Sequence, residues 1–489
     1  MPKFYKSAHI CPLHKKDDRA KPKNYRPISM TSHIIKIFER ILRQFMVAHL
    51  EENGLLTGAQ HGFRSGRSTL TQLLAHFDFV FDGLRRDDDV DAIYLDYAKA
   101  FDKVDHRLLR MKLVKYGFHD SLIAWVDSFL SDRFQEVVVN EAHSYKCKIK
   151  SGVPQGTVLG PLLFIIFVND LESVVKHSEI SFYADDTRIS KRISTLEDKE
   201  MLQSDLLTVM EWSKQNNMKL HEDKFQLMSY QSRMRLPADA VPFNSYLYSY
   251  TVGEDLQLFP SAHIRDLGVT ISMSCSWLEQ INKLVSKARD MASWVLSVFR
   301  ARDRESMLTL YKSLVRSHIE YCSPLWHPSK VSEIQKLEGV QRFFTKRIEG
   351  VSHLTYWERL KQLNLMSLQR RRERYILIHV WKILYGLVPN DVKLKFREPS
   401  RLGIQAEVPA LIRCSRLAVQ SLYESSFAVV GPRLWNSLPS RLSVLDSLEI
   451  FKGHLTKFML ELPDEPPVVG YARRDTNTLS EVVLRRSRV

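Results

Sequence analysis

Two stretches of this chain place acid among strand-forming residues: Asp96 in Ile-Tyr-Leu-Asp-Tyr, and the adjacent pair Asp185 and Asp186 in Phe-Tyr-Ala-Asp-Asp-Thr. An unpaired carboxylate is costly to bury in such surroundings. Acid carried by two separate strands therefore points to a shared cation. Hard divalent ions take oxygen ligands, which makes Mg2+ the expected ion. Two Mg2+ ions, roughly 3.5–4 Å apart, are the usual means of joining nucleotides. At a hairpin tip Asp185 and Asp186 repel each other unless a cation lies between them, and successive strand residues face opposite sides. One of the pair is thus expected to ligate fully beside Asp96, with the other supporting. The competing reading is a turn of two solvated aspartates, since Asp is common in turns. The apolar flanks and the match with Asp96 weigh against it.

Four further groups carry candidate chemistry. Phe101 lies five residues after Asp96, at the start of a helix. A ring there reads either as core or as a flat wall against the sugar of an incoming nucleotide. Such a wall leaves no room for a 2′-hydroxyl and selects DNA precursors. Asp102 and Asp105 read as structural or capping residues. In Ser151-Gly-Val-Pro-Gln-Gly-Thr-Val-Leu-Gly-Pro161, Gly152 and Gly156 permit unusual backbone angles and close approach to a ligand. Gln155 adds an amide donor and acceptor. Contact with a nucleotide or template base is the expectation, and an ordinary loop before a helix is the alternative. Lys15, Lys16, Arg26, Arg64 and Arg67 suit a triphosphate, which Arg grips bidentately. Lys224 suits neutralising or protonating a pyrophosphate leaving group. Each of these cations also reads as an ordinary surface charge. The chain has neither a phosphate-binding Gly-x-x-x-x-Gly-Lys-Ser/Thr loop nor a Gly-x-Ser-x-Gly nucleophile elbow.

The elements that must position these groups follow from periodicity. Ile34, Ile37, Phe38, Ile41, Leu42 and Phe45 line one face of a helix, with Thr31 or Ser32 at its start. Helices are expected over 70–84, 108–114, 122–130 and 158–171. Strands are expected at 92–96, 136–140, 180–184, 188–193 and 267–271. Strands alternating with helices to about residue 272 indicate an α/β or α+β domain. Beyond 275 the spacing is helical throughout, which predicts a small bundle to about 350. The region 351–464 begins helical and very basic, with Arg359, Lys361, Arg370, Arg371, Arg372 and Arg374. The polar residues 465–489 predict a disordered tail.

At 489 residues the chain is too long for one ordinary core. Its formal net charge is +15, which favours a polyanionic partner, nucleic acid first. Five scattered cysteines show no metal-ligand spacing and suit a reducing compartment. The start, Met-Pro-Lys-Phe-Tyr-Lys, lacks the apolar core of a signal peptide. The most apolar run, Val158 to Val168, is too short to span a bilayer. A soluble protein is expected.

Taken in order, these motifs resemble the reverse transcriptases of non-LTR (LINE-type) retrotransposons. Asn24-Tyr-Arg-Pro-Ile-Ser29 looks like the family's fingers motif, and Gln60-His-Gly-Phe-Arg-Ser-Gly-Arg-Ser-Thr69 like its next block. Tyr94 to His106 resembles motif A, Gly152 to Phe164 motif B, Tyr183-Ala-Asp-Asp186 motif C and Trp212 to Lys224 motif D. Leu267-Gly268-Val269 resembles the primer-grip region, Tyr311 to Trp326 the thumb, and Arg359 to Leu363 and Leu434 to Pro439 the C-terminal part of animal elements. The resemblance implies an α+β right-hand polymerase: fingers and palm over 1–272, a helical thumb over 273–350, and a mostly helical basic region over 351–464. It implies an RNA-directed DNA polymerase with two Mg2+ ions, acting on an RNA template, a DNA primer and dNTPs. Asp96, Asp185 and Asp186 match the catalytic metal ligands, Phe101 the sugar gate, Gln155 and Gly156 the nucleotide- and template-facing residues, Arg26 the triphosphate contact and Lys224 the motif D lysine. His221 and Phe225 depart from the residues usual around that lysine. The target of such elements, chromosomal DNA, implies nuclear residence beside the cytoplasmic alternative. The early fingers motif implies an N-terminally truncated copy or partial gene model without an endonuclease. The rival reading is a truncated, non-catalytic remnant that binds nucleic acid.

Overall fold

The computed structural model describes residues 1–15, 17–231, 249–253, 256–328, 330–409, 417–469 and 477–486. Lys16 and Cys414 lie outside them. Contacts divide the chain into two compact units, one of residues 1–65, 91–227 and 241–260, the other of 66–90, 228–240 and 261–489. This division is coarser than the expected boundaries at 272, 350 and 464, and it groups 66–90 with the C-terminal residues. The fold is α+β, as expected, and no named strand follows Ser272 among the described residues.

Nine strands matter here: β1 (Ser7–His14), β2 (Tyr25–Met30), β3 (Asp89–Leu95), β4 (Phe134–Val139), β5 (Ala142–His143), β6 (Cys147–Lys148), β7 (Glu179–Tyr183), β8 (Asp186–Ile193) and β9 (Gln226–Tyr230). One sheet runs β7-β8-β3-β9, and a second runs β2-β1-β4-β5 with β6 also on β4. β7 and β8 form an antiparallel hairpin with Tyr183 opposite Asp186. β1 is antiparallel to β2, with Leu13 opposite Arg26, and parallel to β4. The core of this unit is built around the helix Gly160–Val168, which is apolar on every side and buried from Leu162 to Val168. A helix without a polar face has no other stable place in a soluble fold.

The helix His33–Glu52 corrects one expectation. The apolar face read from the sequence is the exposed one: Ile34, Ile37, Phe38, Ile41 and Phe45 are all exposed, and Leu42 is half-buried. Ile35, Glu39, Met46 and Leu50 are buried instead. The sequence offers two apolar stripes, and the buried one carries Glu39. Its Oε2 accepts from the backbone N–H of Val158 (2.6 Å) and Leu159 (2.9 Å). These are orphan donors at the start of the central helix, so a buried acid there satisfies what a leucine could not. Ser32 stands at the N-terminal position but makes no side-chain cap.

The second unit is largely helical, with Trp326, Trp381 and Trp435 fully buried. The predicted strand 267–271 begins later, at Val269, because Leu267 and Gly268 take positive φ and turn the chain between His263–Asp266 and Val269–Ser272. The basic run also differs from a phosphate-facing surface. Arg359, Arg370 and Arg372 are buried to 3%, 0% and 2% exposure, so half of the six cations lie inside. Glu338, Glu373 and Asp464 lie among them. The tail expectation is corrected as well: Leu479–Arg486 is a helix, Leu479 is fully buried, and the backbone N–H of Leu479 donates to Glu373 Oε1 at 3.1 Å. Residues 470–476 and 487–489 lie outside the described set. No helix among the described residues is long and apolar enough to cross a membrane.

Glu373 yields a pH prediction. Burial, opposed by Arg370, pushes its carboxyl from 4.5 up to about 7. The folded state therefore keeps a proton that the unfolded chain has released, and this contribution to stability falls as pH rises from 4.5 to 7. Against wild type, Glu373→Gln should gain about 1–3 kcal/mol between pH 4.5 and 7.5. Denaturant unfolding across that range checks it, and a constant difference would remove Glu373 as the source.

Candidate active site

Asp96 follows the last residue of β3, and its position is fixed by backbone pairing on the far side. Ala98 N–H donates to Lys219 O (2.8 Å), and His221 N–H donates to Asp96 O (2.8 Å). The short 3-10 turn Glu222–Lys224 then delivers Lys224 Nζ to Asp96 Oδ2 at 2.6 Å. His221 thus acts through its backbone, which any residue but proline supplies. Phe225 is buried in the core of this unit.

Asp185 and Asp186 sit at the β7–β8 turn, where Asp185 is half-buried and Asp186 exposed. Burial first, and then the charge of Asp96, raise the Asp185 carboxyl above its ordinary range. Arg26 on β2 and Lys15 just after β1 act in the opposite sense. The structure therefore brings Asp96, Asp185, Arg26 and Lys15 into one electrostatic neighbourhood, with Lys224 on Asp96. Among the described residues no three ligand-type side chains form a ready metal cluster. Two neighbouring carboxylates still fit a divalent ion. Mg2+ is commonly held by one or two carboxylates, with substrate phosphates and water completing the shell.

The turn itself is held by a residue that sequence reasoning left without a role. Ala184 has φ +59°, a left-handed backbone that costs a non-glycine residue about 1–2 kcal/mol. Gln60, at 2% exposure, accepts from Ala184 N–H (3.0 Å) and Gly62 N–H (2.7 Å) through one oxygen, Oε1. The flanking backbone lies along β7: His61 N–H donates to Phe182 O, and Phe182 N–H to Ala59 O, both at 2.9 Å. The only sequence signal was that Gln60 opens the second fingers block. Arg64, in the same block, is engaged elsewhere: it grips Glu51 bidentately (3.1 and 2.8 Å) and donates to Thr57 O. Arg67 pairs with Asp391 at 3.7 Å. Neither has the free guanidinium expected of a triphosphate contact.

The two glycines of the loop admit neighbouring backbone, while the loop as a whole lines a small cavity. Gly152 (φ +89°) and Gly156 (φ +107°) would place a Cβ 2.7 Å from the Asp102 backbone and 2.6 Å from Ser29 O. Gly152 N–H donates to Val104 O and Val153 N–H to Phe101 O, both at 2.8 Å, while Ser29 N–H donates to Gln155 O at 2.7 Å. Gln155 Nε2 donates to Asp102 Oδ1 at 3.1 Å. Asp102 is thus a positioning residue between the two motifs, and Asp105 caps the next helix through Arg107 and Leu108 N–H. Phe101 is half-buried and stacks on Phe164 (4.3 Å, 16°) with Phe63 edge-on at 6.1 Å. Its ring is therefore fixed from two sides.

The end of β3 and the β7–β8 turn thus bring two acids together, with Lys224 on Asp96 and the charges of Arg26 and Lys15 acting on Asp185. Residues 13–271 match the family model described as "Reverse transcriptase (RNA-dependent DNA polymerase)", and the chain belongs to that family. Members generally use divalent metal ions. Among relatives, the "Probable RNA-directed DNA polymerase from transposon X-element" of Drosophila melanogaster is 26% identical over 71% of this chain and 38% of its own length. The "Probable RNA-directed DNA polymerase from transposon BS" of the same species is 31% identical over 46% of this chain and 26% of its own. The chain thus spans about two fifths of the X-element protein. A solved structure of telomerase from Candida Tropicalis with a telomeric RNA fragment superposes at TM-score 0.44 and 10% identity, covering 94% of this chain and 64% of that one.

Proposed function

We propose that this chain is the RNA-directed DNA polymerase segment of a non-LTR retrotransposon, extending a primer 3′-hydroxyl with dNTPs on an RNA template. The observation that carries the reading is the convergence of Asp96 and Asp185 from separate motifs, close enough for one charge to shift the other. Asp96 and Asp185 would hold Mg2+, with Asp186 supporting. When bound, two such ions activate the attacking 3′-oxygen and neutralise the leaving pyrophosphate. The chain's own groups do the rest. Arg26, beside Asp185, binds the triphosphate as a bidentate cation. Lys224 holds Asp96 before substrate arrives and then faces the leaving group as a proton donor. Phe101, braced by Phe164, bounds the sugar, and the Gln155–Gly156 turn supports the nucleotide and template base.

Primer extension on an RNA template with Mg2+ tests this. Incorporation by soluble, folded protein, absent without the metal, is the expected result. One observation favours the second reading, a non-catalytic nucleic-acid-binding remnant: Lys224 already pairs with Asp96. Salt-sensitive RNA binding without any incorporation would select it.

The sugar wall gives a sharper test. Phe101→Val should raise the ratio of rNTP to dNTP incorporation by about 10–100-fold, the discrimination that a few buried carbon atoms provide. An unchanged ratio in a folded variant would leave Phe101 as core alone.

A further inference from the structure

The second unit contains a cavity of about 230 Å³ whose wall carries Lys312, Arg316, Arg371, Arg374 and Thr456. The first two come from one helical run, the next two from the helix Leu368–Leu384, and Thr456 from Leu448–Leu460. Glu320 is the acid that faces them. Its carboxylate is already shared: Arg371 grips both oxygens, Arg316 Nε lies 3.4 Å away, and Tyr375 Oη donates at 3.1 Å. Arg374 Nε donates to Thr456 Oγ1 at 2.9 Å, a neutral partner. Four cations thus face one anion, a local excess of three.

Lys312 is exposed, but the three arginines are not freely solvated charges. The Arg316 and Arg371 side chains are 13% and 16% exposed. Burial first, with the Arg371 charge next, holds both Arg316 and Arg374 below the usual guanidinium range. Like charges gathered out of water are costly unless an anion joins them. The backbone supplies a second, independent sign. Residues Tyr311–Val315 form a π-helical turn between the α-helices Arg304–Leu310 and Arg316–Glu320. Such turns are rare and gather at functional sites. This one contains Lys312 and leads directly into Arg316, so the irregular turn sets both cations on the cavity wall.

We infer that this cavity is a binding site for a phosphodiester group of a nucleic-acid strand, with Arg316 and Arg374 gripping its oxygens and Lys312 adding charge. The ligand must be a tetrahedral oxyanion with several acceptors, since the wall offers guanidinium forks and an ammonium. The inference rests on the nucleic-acid-binding part of the proposed function and not on catalysis. On this inference a basic run with half of its six cations in the core still contributes to a phosphate site, because that site is built from side chains of three helices.

The test is binding of the full chain to a labelled single-stranded RNA by anisotropy, across salt concentrations. Each lost phosphate contact should lower the slope of log K against log salt by about 0.7. Arg316→Gln with Arg374→Gln should weaken binding several-fold and reduce the slope by one to two such steps, whereas Lys457→Gln, an exposed cation on the Leu448–Leu460 helix, should change neither. Inorganic phosphate should raise the thermal midpoint of wild type more than of the double variant. Should the double variant fail to fold, the exposed Lys312→Gln carries the test, with a slope reduced by one step. Unchanged slope and affinity in folded variants would overturn the inference. Protection by phosphate with unaltered RNA binding would overturn the strand as ligand and leave a free anion. Because none of these readouts uses dNTP incorporation, a failed polymerase assay leaves this result distinct.

Discussion

Asp185→Asn should reduce dNTP incorporation by about 10³-fold or more while leaving the protein at least as stable. The two halves of this expectation have one cause. The Asp185 carboxyl is pushed up by burial and by the Asp96 charge, so ionising it in the folded state has a cost that is present above the ordinary carboxylate pKa. Asparagine keeps the shape and removes the charge, and with it both that repulsion and the capacity to hold a divalent ion. Asp186 is exposed at the same turn, so Asp186→Asn should lose less activity and change stability little. Single-turnover primer extension with thermal unfolding of the same samples reads both. RNA binding should stay within about twofold of wild type, since these acids oppose rather than attract phosphate. Equal losses at 185 and 186 would contradict the unequal burial as the source of their roles, and substantial incorporation by Asp185→Asn would remove it from the metal site.

What could be read from the sequence was whatever rests on short-range pattern. The hairpin that carries Asp185 and Asp186, the strand that ends at Asp96, and the helices from 278 to 345 follow from alternation or from 3.6-residue spacing, and the structure has them within a few residues. What failed depended on partners distant in sequence. The helix His33–Glu52 has two apolar stripes, and periodicity cannot say which meets the core; Glu39 decides it by satisfying Val158 and Leu159, more than a hundred residues away. Nothing in the sequence marks Arg359, Arg370 and Arg372 as buried, since arginine usually is surface. The acids that accompany them inside, Glu338, Glu373 and the half-buried Asp464, lie elsewhere in the sequence or show no local pattern. The glycine loop was legible as special backbone, but its reason was not. Gly152 and Gly156 admit the backbones of Asp102 and Ser29, and nothing local to 151–156 names those residues. The acids of the candidate site were found because chemistry limits them to few residue types. Gln60 was missed because a buried glutamine bridging two backbone amides leaves no pattern of its own.

That glutamine and its neighbour give the second large effect. Gly62→Ala should lower kcat by about 10²-fold with KM changed only slightly, since displacing a catalytic group by an ångström has that scale of cost. A Cβ at residue 62 would lie 2.4 Å from Ala184 N and 3.1 Å from Tyr183 C, and both are backbone atoms that cannot swing aside. The turn must move, and Asp185 follows Ala184 directly. Gln60→Ala reaches the same turn by another route. It leaves the N–H groups of Ala184 and Gly62 buried without their acceptor, a loss of about 1–3 kcal/mol for each group left unpaired. The left-handed angle at Ala184 then loses the contact that holds it. Gln60→Glu retains an oxygen at the Oε1 position and should recover most of kcat. A purely structural role would show differently: both variants would lose stability, yet at a temperature where each is fully folded kcat would match wild type. Recovery by glutamate but not by alanine, with KM steady throughout, is the pattern that ties the brace at residue 60 to the aim of the carboxylate at 185.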